Sequence, residues 1–135
     1  MKKIYLTLST SLLLVSNLCY SKEEQFVCEY TNEVKVMDIE SQNLKTTVNK
    51  KKERYTFFVE GNKGSYINLS HGVKSPTTVV VNGRQLLLVE NNTSDNTFIV
   101  TIFLDKKNNR YPSIYSFHSW GGGFFTPSQS YGECY

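Results

Sequence analysis

Short apolar runs separated by turn residues constrain the fold of this chain most strongly, and the sharpest case lies at residues 79–88. Val79-Val80-Val81 and Leu86-Leu87-Leu88 flank the pair Asn82-Gly83. Both residues of that pair tolerate a positive φ, so Asn-Gly between two apolar runs is typical of a tight β-hairpin. This segment therefore predicts two antiparallel strands joined by a two-residue turn.

Similar runs recur along the rest of the chain and predict further strands. They lie at 26–30, 34–39, 55–59, 65–69, 98–104 and 111–120. The chain contains no alanine, the best helix former, while Thr and Val number 12 each. Residues 40–53 have the weakest pattern and would accommodate a short helical turn. The spacing predicts an all-β domain, a small antiparallel barrel of seven or eight short strands, with a β-sandwich as the alternative.

The first 21 residues have the layout of a secretory signal peptide of bacterial style. Lys2 and Lys3 precede an apolar stretch, and small residues at Cys19 and Ser21 predict cleavage after about Ser21. The apolar stretch is shorter than the roughly 20 residues that span a membrane. Leu18, before Cys19, argues against lipid attachment there. We expect a secreted or periplasmic domain of residues 22–135 that does not span a membrane.

Removal of this leader leaves Cys28 and Cys134, one near each end of the remaining chain. An even pair of cysteines in an oxidising compartment predicts a structural disulfide. The bridge would enclose nearly the whole domain. It would also join the first strand to the last, which favours a closed barrel over a sandwich.

The charge of the chain weakens the case for nucleic-acid binding. Lys2 and Lys3 are lost with the leader, so 13 basic residues face 12 acidic ones in residues 22–135. Nucleic-acid binding depends on clustered Lys and Arg that neutralise phosphates. The single basic run, 50–54, is interpreted as a solvated turn. We therefore expect no nucleic-acid partner.

No residue pattern points to catalysis, a metal or a cofactor. His71 and His118 lack metal-ligand spacing, and Ser70 beside His71 is not specific enough to indicate a triad. The carboxylates considered for a hydrolase, which would need a pair in an apolar cleft, fall at predicted strand ends or turns, where solvation is expected. They are Glu60, Glu90, Asp95 and Asp105. We expect a protein that is not an enzyme.

The most unusual segment is 116–127, which contains the single Trp and the single Gly triplet of the chain. One interpretation is a bend whose aromatic residues enter the core. The other is a loop whose exposed aromatic residues bind a partner, since such residues dominate interface energies. The predicted contact residues are Tyr115, His118, Trp120, Phe124 and Phe125.

In architecture alone, a small secreted barrel with cysteines near both ends resembles the periplasmic lysozyme-inhibitor class. Those inhibitors carry Ser-Gly-x-x-Tyr and Trp-x-Lys-Gly segments, whereas here Trp120 precedes three glycines and the serine-led segment is absent. No functional residue is therefore transferred. The sequence predicts a non-catalytic, inhibitor-like binding module for a protein or cell-envelope partner. The alternative is a carrier that encloses a small apolar ligand, and a hydrolase is a third hypothesis.

Overall fold

A computed structural model describes residues 22–37, 45–92, 96–121 and 124–135. The side chains of residues 37, 45, 91, 92, 120, 121 and 124–126 lie outside this description. The predicted leader, residues 1–21, lies outside it as well, so the signal peptide and the lipidation question at Cys19 stay predictions.

The described chain forms a closed antiparallel barrel of eight strands in which each strand pairs with its neighbours in sequence and the last pairs with the first. The strands are β1 (Glu24–Met37), β2 (Lys45–Glu60), β3 (Lys63–Asn68), β4 (Lys74–Asn82), β5 (Gln85–Asn92), β6 (Asn96–Phe103), β7 (Tyr111–Gly121) and β8 (Phe124–Cys134). The predicted all-β barrel is confirmed, and the sandwich alternative is wrong. Closure leaves no strand of the sheet without two neighbours.

Side chains that alternate along the strands fill the barrel. In β6, Phe98, Val100 and Ile102 are buried, while the residues between them are half-buried. This is the period of two expected for a strand with one face toward the core. The residues that are completely buried, in the middle of the barrel and near its disulfide, are Cys28, Tyr30, Phe57, Leu88, Val100, Ile102, Ser130 and Cys134.

The strands are longer than the apolar runs that predicted them. β2 spans 16 residues, and it includes 45–53, where the sequence would have accommodated a helical turn. The interpretation of 50–54 as a solvated turn is therefore wrong. The polar residues of this segment pair in register with β1, for example Glu33 with Asn49 and Asn32 with Lys50. Backbone pairing, rather than an apolar face, extends the strand here.

The disulfide joins β1 to β8 as predicted. Cys28 and Cys134 lie directly opposite each other and are bonded. The adjacent residues Val27 and Tyr135 exchange two backbone hydrogen bonds of 3.0 Å. The cysteines therefore occupy a non-hydrogen-bonded pair, where facing side chains are closest. The covalent link seals the barrel where the two ends of the described chain meet.

Gly132 of β8 leaves room for the side chain of Tyr30 on β1 to reach Ser113 on β7. It lies between Tyr30 and Ser113 in register, and the Tyr30 ring crosses it to reach Ser113. The Tyr30 hydroxyl and Ser113 Oγ are 2.8 Å apart, and Ser113 donates to the Thr101 carbonyl at 3.1 Å. A Cβ on Gly132 would lie 2.1 Å from the Glu29 carbonyl oxygen and 2.7 Å from a Tyr30 ring carbon. Only glycine fits beneath this ring.

Substitution of Gly132 by alanine should lower the free energy of unfolding by about 3 kcal/mol, as for a severely overpacked core. The nearest clash is with backbone, so β1 and β8 would have to separate. The matched control is Gly83→Ala, in the hairpin turn. Gly83 has φ +59° and no neighbour within 4 Å, so only backbone strain of about 1 kcal/mol applies. Urea unfolding of both variants measures the difference, and equal losses would contradict this account.

Candidate functional site

The two ends of the barrel differ in how they are closed. One end holds the disulfide and the turns at 61–62, 83–84 and 104–110, and we call it the tied end. At the opposite end, which we call the open end, β3 ends at Asn68, β4 begins at Lys74 and β6 begins at Asn96. In an up-and-down barrel, alternate connections lie at the same end. The β7–β8 hairpin therefore also reaches the open end.

The open end has a gap because β4 and β5 diverge. Their pairing begins at Asn82 and Gln85 beside the turn and stops at Thr78 and Val89. Beyond that point β4 still pairs with β3, and β5 with β6. Glu90 is the first β5 residue past the divergence, where it retains only its partner Phe98 on β6. The gap thus places a carboxylate beside an opening in the wall of the barrel.

A cleft of about 240 Å³ occupies this position, and we call it the aromatic cleft. Its walls combine rings with polar groups from strands β2 to β7 and the β3–β4 loop. The lining residues are Tyr55, Tyr66, Asn68, His71, Val73, Ser75, Glu90, Asn96, Phe98, Tyr115 and Phe117.

The rings of the aromatic cleft pack into one continuous wall. Tyr66 stacks on Phe98 with ring centres 4.6 Å apart and planes 10° apart. Phe98 lies 4.7 Å from Tyr115, which lies 5.6 Å from Tyr55. These contacts hold the rings in fixed orientations, because offset and tilted aromatic pairs stabilise one another beyond their buried area. The cleft is therefore preorganised on its aromatic side.

Glu90 accepts a hydrogen bond from the Tyr66 hydroxyl, with the hydroxyl oxygen 2.5 Å from Oε2. Burial, together with this contact to a carboxylate, raises the pKa of Tyr66 to about 12. Burial likewise raises the pKa of Tyr55 and of Tyr115 above the usual tyrosine range. The phenols of the cleft are therefore neutral at physiological pH.

The β3–β4 loop of the cleft is held by Asn68. Its side-chain oxygen accepts a hydrogen bond of 2.8 Å from the Ser70 amide, and its carbonyl accepts from the amides of His71 and Gly72. Gly72 has φ +67°, a conformation that favours glycine. This turn places His71 at the edge of the cleft, with its side chain exposed.

A second depression, the lysine pocket, adjoins the aromatic cleft and shares Tyr115 and Phe117 with it. It has a volume of about 390 Å³, and its other lining residues are Glu33, Lys35, Lys51, Ser119 and Ser128. The two depressions therefore lie side by side at the open end.

The charges of the lysine pocket are paired internally. Lys51 Nζ lies 3.1 Å from Glu33 and 2.9 Å from Glu53, and Lys35 lies 3.4 Å from Glu33. Burial by itself would lower the pKa of Lys51, but its hydrogen bonds to Glu53 and Glu33 outweigh burial and raise it. The Tyr55 hydroxyl donates to Glu53 at 3.1 Å, which connects this network to the aromatic wall.

The predicted contact residues are distributed over different environments. Tyr115 is buried, with 8% of its surface exposed, and forms part of the floor of both depressions. His118 is half-buried on β7, and by strand alternation it faces the outside, opposite Thr97 and Pro127. The backbones of Trp120 and Phe125 pair across the β7–β8 hairpin, as do those of Gly121 and Phe124. The side chains of these three aromatic residues lie outside the described set, so the contact prediction stays a prediction.

Much of the segment interpreted as a loop is strand, with 116–121 in β7 and 124–127 in β8. Sequence reasoning also missed Glu33, and it assigned neither Lys51 nor Glu90 to a binding site. Glu90 was expected to be solvated, but it is half-buried against Tyr66. Glu60 and Asp105 are exposed, as expected, whereas Asp95 lies outside the described residues. The available signal for Glu90 was strand alternation, since it falls on the same face of β5 as the buried Leu86 and Leu88.

No family model, curated protein or solved structure matches this chain. A proposal about function therefore depends on the geometry of the open end. Among the described residues, no three His, Cys, Asp or Glu side chains are grouped closely enough to hold a metal ion. In the same ranges, no helix is long and apolar enough to cross a membrane.

Proposed function

We propose that this protein is a non-catalytic binding protein of the bacterial cell envelope, secreted or periplasmic, that recognises a protein or other envelope partner with the open end of its barrel. The observation that supports this is the aromatic cleft, a preorganised wall of rings beside a half-buried carboxylate. Interface hot spots combine aromatic contacts of this kind with a few polar groups. The Cys28–Cys134 disulfide is compatible with an oxidising compartment.

The packing of the interior supports a surface interaction over enclosure of an apolar ligand. Phe57, Leu88, Val100 and Ile102 are completely buried and fill the centre of the barrel. Carriers of small molecules need an interior volume that side chains leave empty. The aromatic cleft, in contrast, opens to solvent and mixes rings with amide, hydroxyl and carboxylate groups.

Capture of partners from cell-envelope extract tests the proposal. The bait is the protein expressed from the full-length chain, compared with Phe117→Ala in the cleft wall and Trp120→Ala in the β7–β8 hairpin. We expect both variants to recover the specific partner with about tenfold lower yield, as hot-spot truncations do.

The matched control is Arg84→Gln at the tied end, where Arg84 is exposed and pairs with Asp105 at 3.1 Å. This variant should capture the partner as the native protein does. Circular dichroism checks that every variant is folded. Equal recovery of the partner by the native protein and by folded Phe117→Ala and Trp120→Ala would overturn the proposal.

A further inference from the structure

Among the described residues, the buried and half-buried carboxylates are paired with cations, with one exception. Glu29 lies 3.5 Å from Arg54, and Glu33 and Glu53 both contact Lys51. For Glu90, the structure describes no Lys, Arg or His nitrogen within 4 Å, and its side-chain partner in the described chain is the Tyr66 hydroxyl. A partly desolvated carboxylate without a counter-ion is costly, so such groups are normally paired. Glu90 therefore has an unmet requirement for positive charge.

The geometry leaves part of this carboxylate available. Tyr66 donates to Oε2 of Glu90, and Oε1 has no hydrogen-bond partner among the described residues. The Tyr66 hydroxyl also fixes the orientation of the group. A cation that enters the cleft can therefore bind Oε1 without displacing Tyr66.

The aromatic wall complements a cation as well. A ring face carries a negative potential that attracts an ammonium or guanidinium group within about 6 Å, and the attraction grows when the site is desolvated. The stacked rings of Tyr66 and Phe98 and the tilted ring of Tyr115 line the same cleft as Glu90. The protein already uses this contact elsewhere, since Lys74 Nζ lies 4.9 Å from the centre of the Phe58 ring.

The size of the aromatic cleft restricts what can enter it. Its volume of about 240 Å³ lies below the range of about 300–1,000 Å³ usual for sites that hold whole drug-sized ligands. The end of one long side chain suits this volume better than a complete cofactor. A neutral sugar would also stack on the rings, but it would leave Glu90 without a counter-ion.

We propose that the aromatic cleft receives the ammonium or guanidinium group of a lysine or arginine side chain of the partner, with Glu90 as its counter-ion. This inference rests on the proposed function, because it names the chemistry by which the open end recognises its partner. It makes Glu90 the binding group and Tyr66 a positioning residue.

Nuclear magnetic resonance titration with small probes tests the inference on the protein expressed from the full-length chain. The probes are the N-acetyl methylamides of lysine, arginine and norleucine, which share a backbone and differ in charge, together with free n-butylammonium. We expect the lysine or arginine derivative to shift the ring resonances of Tyr66 and Phe98 with a dissociation constant of about 1 mM. The norleucine derivative, whose side chain is neutral, should not shift these resonances.

Variants of the cleft separate charge from shape. Glu90→Gln should weaken binding of the cationic probe by about tenfold, whereas Tyr66→Phe, which keeps the ring, should change it by about threefold or less. Glu60→Gln is the control, since Glu60 is exposed at the tied end. The inference would be overturned if the cationic probe bound equally well to the native protein and to folded Glu90→Gln. It would also be overturned if the norleucine derivative bound the native protein as tightly as the lysine derivative. Much tighter binding of n-butylammonium than of the lysine derivative would overturn the assignment to a side chain.

The two proposals fail in distinguishable ways. If the probes do not bind but partner capture depends on the cleft, the cation inference falls and the proposed function stands. If the cationic probe binds through Glu90 but partner capture is independent of the open end, the proposed function falls and the chemistry of the cleft stands.

Discussion

Replacing Cys28 and Cys134 together by alanine should lower the free energy of unfolding by about 4–5 kcal/mol. The two cysteines are 106 positions apart, so the bond removes much of the freedom of the unfolded chain. Both side chains are also fully buried, between the strands that close the barrel. The loss is a large fraction of the roughly 5–15 kcal/mol that stabilises a domain.

Urea unfolding under non-reducing conditions measures this effect. Reduced native protein is the matched control, because it lacks the bond but keeps both sulfur atoms. We expect the reduced protein to show most of the loss, and the alanine variant slightly more. A double variant within about 1 kcal/mol of the oxidised protein would show that β1 and β8 hold together without the link.

The second large effect is expected at alkaline pH. Tyr30, Tyr55 and Tyr115 are buried in the barrel, and burial raises the pKa of each in the folded state. An unfolded tyrosine ionises near pH 10, so the stability from these groups is complete below that pH and is lost as pH rises above it. Above pH 10, each tyrosine that stays protonated in the folded protein lowers the free energy of unfolding by about 1.4 kcal/mol per pH unit. The three together lower it by about 4 kcal/mol per pH unit.

For Tyr66 the same loss falls between pH 10 and its folded pKa of about 12. Cooperative unfolding is therefore expected above pH 11, accompanied by the ultraviolet absorbance of tyrosinate. Tyr115→Phe should reduce the slope of stability against pH by about 1.4 kcal/mol per unit. Tyr131→Phe is the control variant, because it removes the hydroxyl of a tyrosine that is 43% exposed. Ionisation of the interior tyrosines near pH 10 in a folded protein would contradict this account.

The barrel could be predicted because its signals are local. The Asn82-Gly83 pair correctly located the hairpin between β4 and β5, although the two-residue turn itself is Gly83-Arg84, since Asn82 pairs with Gln85 and of the predicted pair Gly83 alone has a positive φ. The alternation of Phe98, Val100 and Ile102 places the buried face of β6. The positions of Cys28 and Cys134 imply that the chain ends meet. None of these inferences requires knowledge of distant contacts.

The candidate site could not be predicted in the same way, because its contacts join distant residues. Tyr66 and Glu90 are 24 positions apart, and Glu33 and Lys51 are 18 apart. A charge beside the end of an apolar run looks solvated in sequence, and its environment depends on where the β4–β5 pairing stops. The inward position of Lys51 is decided likewise by the register of β2 against β1, which shifts between Tyr30 and Asn32.

The pairing order of the strands has a consequence for how the barrel can form. Seven of its eight ladders join strands that follow each other in the chain, and only the β1–β8 ladder joins its ends. The entropic cost of closing a loop rises with the length of chain enclosed. The β1–β8 ladder encloses nearly the whole described chain, so most of the entropic cost of long-range pairing belongs to it. We therefore expect the seven local ladders to form first and the β1–β8 ladder to form last. Oxidation of Cys28 and Cys134 then fixes that last pairing covalently.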